Sequence, residues 1–170
     1  STNAFLRERA MRTKFVRKSV VKFMPGERAE DAIQAAKDLQ PTGLTTILTR
    51  LGENLTKISE AGEVADHYVK VLDLVQGARL DAHISVKPTQ LGYDQNPDTC
   101  FKYCSALVEC CKAVDTYLWL DMESSQYVDG TLELYKALRE KSDKVGVAVQ
   151  AYLYRTERDL EDLIALGSAV

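Results

Sequence analysis

Ala82-His-Ile-Ser-Val-Lys87, closed by Pro88, is the stretch on which the reading of the fold turns. In an extended strand His83, Ser85 and Lys87 share one face, and Ile84 and Val86 the other. One face is apolar and suits packing against helices. The other is mixed and turns polar toward the strand's C-terminal end. Val145-Gly-Val-Ala-Val-Gln-Ala-Tyr152 repeats the pattern, with Ala148, Gln150 and Tyr152 set against Val147, Val149 and Ala151. A doubly wound open sheet covers both faces with helices, so its strands tend to be apolar throughout. The wall of a (β/α)8 barrel of TIM type has one helix-covered face and an interior that opens into a site at the top. The sequence pattern fits the barrel. The open sheet also commonly carries a glycine-rich phosphate loop after its first strand. Here the first strand is followed by Arg50-Leu-Gly-Glu-Asn-Leu55, which has one glycine and is no dinucleotide fingerprint.

Outward from these strands the chain alternates regularly. Thr45-Thr-Ile-Leu-Thr49 and Thr116-Tyr-Leu-Trp-Leu-Asp121 read as two more strands. Helical spacing predicts helices over 30–39, 59–75, 97–114, 131–141 and 156–166. Pro97 suits a first helical turn, Thr156 reads as a cap, and Gly167 ends the last helix. Ser168-Ala-Val170 reads as the start of another strand. Strands begin near residues 45, 82, 116 and 145, a step of roughly 30–40 residues that fits one βα unit each. The predicted organisation is an α/β parallel half-barrel: an N-terminal helical segment over 1–26, then four βα units over 27–170. Four such units cannot close a barrel that needs eight. The chain also begins Ser1-Thr-Asn-Ala without an initiator Met, which reads as processing or truncation.

Composition narrows the function classes. The chain has 170 residues, 45% of them hydrophobic and 28% charged, so a globular core is expected. The net charge of −3 gives no electrostatic reason to bind nucleic acid. No apolar run approaches the length of a membrane span, and no secretory signal is visible, so the expected location is cytoplasmic. Residues 4–24 form a basic amphipathic stretch stopped by Pro25-Gly26. Such a helix either packs with its basic face in solvent or lies on an anionic membrane surface, which leaves a peripheral association with the inner membrane open. The four cysteines lie at positions 100, 104, 110 and 111. Three of them share one helix face, but the spacing lacks paired CxxC units and no histidine is near. They read as buried small residues in a reduced protein, and no metal site is expected.

Three polar residues stand at predicted strand C-terminal ends: Lys87, Asp121 and Gln150. That edge is where ligands bind in either parallel fold. The plain alternative is a lysine–aspartate pair that only closes the sheet. Lys87 also suits a Schiff-base lysine, as in some barrel lyases. Glu53 and Glu123 lie just past strand ends and read as caps or solvated loop residues. His83, in mid-strand, reads as a satisfied interior histidine.

The wording around these residues carries a resemblance. Leu51-Gly-Glu-Asn54, Ile84-Ser-Val-Lys-Pro-Thr-Gln-Leu-Gly92, Leu120-Asp-Met-Glu-Ser-Ser125 and Val149-Gln-Ala-Tyr-Leu-Tyr-Arg-Thr156 occur in this order, after Phe23-Met-Pro-Gly-Glu27. Each of the four lies at or after a strand end. Together they resemble the proline dehydrogenase family of FAD-linked barrel enzymes, in its bacterial monofunctional form. The resemblance implies oxidation of L-proline to Δ1-pyrroline-5-carboxylate by hydride transfer to N5 of FAD, with a quinone as electron acceptor. It implies that Lys87 binds the substrate carboxylate, that Asp121 lies close to flavin and substrate, and that Met122 and Gln150 contact FAD. It further implies a fifth strand with an arginine beside the flavin, phosphate contacts after it, and a late pair of arginines on the substrate. None of these occurs before Val170. The expectation is therefore that the 170-residue chain alone is inactive, and that it either forms a dimer of half-barrels or is part of a longer protein. The alternatives are another barrel enzyme, such as a lyase acting through Lys87, and a non-catalytic half-barrel fragment.

Overall fold

The computed structural model describes residues 24–26, 28–52, 55 and 57–170. The basic stretch 4–24 lies outside these residues except for Met24, and Glu53 lies outside them entirely. Five α-helices and four strands alternate among the described residues. They are α1 (Ala29–Leu39), β1 (Thr46–Thr49), α2 (Ser59–Ala78), β2 (Ala82–Val86), α3 (Pro97–Ala113), β3 (Leu118–Leu120), α4 (Val128–Arg139), β4 (Val145–Val147) and α5 (Thr156–Ala165). Short 3₁₀ turns cover Gln40–Thr42, Pro88–Leu91 and Ser125–Tyr127.

All strand pairs are parallel, and the spatial order is β1-β2-β3-β4. This order separates the two candidate folds. A doubly wound sheet must reverse its strand order to place helices on both faces. Here each strand sits beside its predecessor without reversal. Crossovers of one hand then put every helix on the same side, and the pairs α1–α2, α2–α3 and α3–α4 pack in sequence. Among the described residues, the other face of the sheet stays open. Ala169 bridges Gly146 in parallel, and its carbonyl accepts the Val147 N–H at 3.1 Å. The chain thus starts a fifth pairing beyond β4, as the sequence predicts.

The helix-side face follows the alternation read from β2. Ile84, Val86, Leu118, Leu120, Val145 and Val147 are all fully buried. They meet Tyr68, Leu72 and Val75 of α2, Leu107 and Val108 of α3, and Tyr135 and Leu138 of α4 in one core. Each such side chain contributes about 1.5–3 kcal/mol by leaving water. Cys100, Cys104 and Cys111 are buried in this core as small apolar residues. Burial pushes the Cys111 thiol up to about 12, which keeps it neutral and unreactive.

Several boundaries differ from the sequence reading. α2 runs to Ala78 rather than Val75, because Gln76, Gly77 and Ala78 continue the helix until Arg79 takes a left-handed turn (φ 53°). α4 begins at Val128, three residues early. Gly130 is helical, and the Tyr93 hydroxyl occupies the space a side chain would need. β4 is shorter than read. The Ala148 N–H still donates to Leu120 O at 2.9 Å, after which the chain turns. The carbonyl of Gln150 accepts both the Leu153 N–H (3.2 Å) and the Thr156 hydroxyl (2.6 Å). Thr156 is therefore the first helical residue and ties back the loop, rather than capping α5; Arg155 holds the cap position. Gly167 does end the helix, with φ 63°.

Candidate functional site

The site candidates gather where the register places them. Ser85 pairs with Trp119, and Val86 with Leu120. One step further, the Asp121 N–H donates to Val86 O at 2.9 Å, so Lys87 and Asp121 stand side by side at the C-terminal ends of β2 and β3. Lys87 Nζ lies 3.5 Å from Asp121 Oδ2, and both side chains are partly exposed. The Ser85 hydroxyl donates to Asp121 Oδ1 at 2.5 Å. A cation and a carboxylate thus share the open edge of the sheet, with the carboxylate held from two sides.

Gln150 joins them across the loop after β4. Its Nε2 donates to Met122 O at 3.3 Å, and its Oε1 accepts the Tyr152 hydroxyl at 3.1 Å. Asp121 and Met122 alternate in direction, as strand residues must. Asp121 faces the open side, while the Met122 side chain packs in the core. Met122 therefore presents its backbone carbonyl to the site, rather than its thioether.

Two supports lie just outside this set. Glu123 accepts the Thr89 N–H (3.0 Å) and hydroxyl (2.6 Å), which caps the 3₁₀ turn after Lys87. This agrees with the capping role read for Glu123. Buried Tyr68 of α2 donates to Ser85 O at 2.8 Å and accepts the Arg50 N–H at 3.0 Å. It bolts the ends of β1 and β2 together. Burial pushes its phenol up, so it stays a neutral donor. The sequence reading missed Ser85 and Tyr68 as site supports. Ser85 carried a signal, since it shares a face with Lys87 two residues away. Tyr68 carried none, because it sits in an ordinary apolar helix stripe.

Deeper on the open face, the Trp119 Nε1–H donates to His83 Nδ1 at 3.0 Å, with the rings stacked. His83 is thus a satisfied interior histidine. Burial holds its imidazole below the usual range near pH 6.5. A histidine whose folded form resists protonation makes the unfolded state bind more protons in acid. Stability is then expected to be flat above pH 6.5 and to fall as pH drops below it. Urea denaturation between pH 5 and 8 checks this. His83→Gln, which keeps an acceptor for Trp119, should flatten the acid slope apart from the part due to His67, whose imidazole burial also depresses.

The matched family follows from comparison with known proteins. The family model for proline dehydrogenase matches residues 32–169. The chain belongs to the proline dehydrogenase family. It is 29% identical over 164 residues to proline dehydrogenase 1 of Bacillus subtilis subsp. natto, covering 94% of this chain and 54% of that protein. It is 31% identical over 150 residues to the proline dehydrogenase of Deinococcus radiodurans, covering 84% and 48%. Among solved structures it is similar to proline utilization A from Bdellovibrio bacteriovorus inactivated by N-propargylglycine. That likeness has a TM-score of 0.74 at 18% identity, over 85% of this chain and 18% of the other. It supports the fold. The chain spans about half the length of the curated proline dehydrogenases it matches. Within this chain, Lys87, Asp121 and Gln150 meet on one edge. Among the described residues no helix is long and apolar enough to cross a membrane.

Proposed function

We propose that residues 27–170 form the first half of a (β/α)8 barrel, and that the whole protein oxidises L-proline to Δ1-pyrroline-5-carboxylate with FAD. The observation that carries this reading is the Lys87–Asp121 pair at adjacent strand C-terminal ends, in a chain of this family. Lys87 has three N–H donors, and the pair with Asp121 engages one of them. The others suit the substrate carboxylate, and a strand end is a rigid mount for them. Asp121, held by Ser85 and Lys87, lies beside the reacting ring. The residues also fit a flavin. Gln150 offers an amide donor and acceptor on the same edge as Asp121, and its present bonds of 3.3 and 3.1 Å are long enough to exchange. Bound FAD would supply the hydride acceptor at N5, with a quinone taking the electrons onward. The proline ring loses a hydride from the carbon beside nitrogen and a proton from nitrogen, which leaves a carbon–nitrogen double bond.

A lyase reading through Lys87 needs a neutral amine, which proteins obtain by apolar burial or a neighbouring cation. Lys87 has a carboxylate beside it instead. One experiment separates the two. The full-length protein should form Δ1-pyrroline-5-carboxylate from L-proline with a quinone or dye as acceptor. Borohydride trapping of a carbonyl substrate on Lys87, without such turnover, would contradict the proposal.

The 170-residue chain by itself is expected to be colourless and inactive. Ile47, in register with His83 on the inward face, is half exposed, and the inward-facing side chains lack the layers that fill a closed barrel. Purification in the presence of FAD followed by absorbance checks this; bound flavin with proline-dependent dye reduction would overturn it.

A further inference from the structure

We infer that Ser85 is a positioning residue: it orients Asp121 independently of Lys87 and so leaves Lys87 free to turn to the substrate. The inference rests on the proline-oxidising reading above. The two oxygens of Asp121 have separate partners, Ser85 in β2 and Lys87 just past its end. Oδ1 takes the Ser85 hydroxyl at 2.5 Å, and Oδ2 lies 3.5 Å from Lys87 Nζ. Ser85 and Lys87 stand two residues apart on one face, or about 7 Å along the strand. They therefore grip the carboxylate from different heights.

The two grips differ in stiffness. The Ser85 hydroxyl sits one bond from Cβ, on a buried residue between fully buried Ile84 and Val86. Its own carbonyl is pinned by the Tyr68 hydroxyl at 2.8 Å from the helix layer. Lys87 carries its charge on a flexible four-carbon stem, is partly exposed, and meets Asp121 at a longer distance. If Lys87 were the only anchor, binding the substrate carboxylate would release Asp121 at the moment it is needed. With Ser85 on Oδ1, Asp121 stays aimed while the ammonium shifts its donors toward the substrate.

A double-mutant cycle in the flavin-loaded full-length protein tests this, read by steady-state kinetics with L-proline. Ser85→Ala should lower kcat about ten- to a hundredfold, the scale of a misplaced reacting group, with KM changed less than about threefold. Ser85→Thr, which keeps the hydroxyl, should restore most of the loss. In a D121A background the Ser85→Ala change should cost nothing beyond about twofold, while in a K87M background it should keep its full factor. The same factor in all three backgrounds, no loss in Ser85→Ala, or a threonine variant as impaired as alanine would overturn the assignment. A crystal structure of the Ser85→Ala protein gives a reading that needs no activity: the Asp121 carboxylate should turn from its present position, and an unmoved carboxylate contradicts the inference. If the unmutated protein fails to turn over proline, the proposed function falls, and the crystal structure still decides the role of Ser85.

Discussion

Lys87→Met in the flavin-loaded full-length protein is expected to lower kcat/KM for L-proline by about a hundredfold to a thousandfold. Removing one charge-assisted contact costs about 1.5–3 kcal/mol, or ten- to a hundredfold. A second loss adds to it. Without the ammonium 3.5 Å away, Asp121 faces the incoming carboxylate as an uncompensated negative charge. Most of the loss should fall on KM, since the contact is already made in the ground state. Lys87→Arg keeps the charge but replaces a compact ammonium with a planar fork, so partial activity is expected. Steady-state kinetics over a wide proline range checks both. A Lys87→Met protein with unchanged KM would mean that the substrate carboxylate is held elsewhere.

Gly146→Val is expected to destabilise the full-length protein by about 3 kcal/mol, at the upper end of overpacking costs. A Cβ at Gly146 would lie 2.5 Å from Trp119 Cε3 and 2.6 Å from Cζ3. The indole cannot simply step aside, because its Nε1–H is bonded to His83. Gly146 also stands in β4 between Trp119 on β3 and the bridge to Ala169, so a backbone shift disturbs both pairings. Urea unfolding should show a lower midpoint with little change in slope. Trp119→Ala in the same background should recover part of the loss by vacating the space, and no such recovery would place the strain elsewhere.

Much of this architecture was legible in the residues. The alternation of His83, Ser85 and Lys87 against Ile84 and Val86 announced a sheet covered on one side, and the strand order bears that out. Lys87 and Asp121 could be named because both close a strand, and parallel register then puts them side by side. What stayed hidden depends on contacts far apart in the chain. Nothing local marks Tyr68 as the bolt between Arg50 and Ser85, and nothing local shows that Gly130 is helical with Tyr93 lying over it. Val149 and Gln150 read as strand because their pattern alternates. The Thr156 hydroxyl and Leu153 N–H both bond the Gln150 carbonyl, and this turn replaces the strand. Met122 could be placed by sequence, but only its alternation with Asp121 shows that the backbone carbonyl, not the side chain, reaches the site.

The central claim is that this half supplies the lysine side of a flavin-linked proline site. Anaerobic titration of the flavin-loaded full-length protein with L-proline, followed by visible absorbance, tests it most directly. The flavin band should bleach in a saturable way with the unmutated protein, and Lys87→Met should shift the saturation point to far higher proline. A flavin that stays oxidised at any proline concentration, or one bleached equally well without Lys87, would contradict the account.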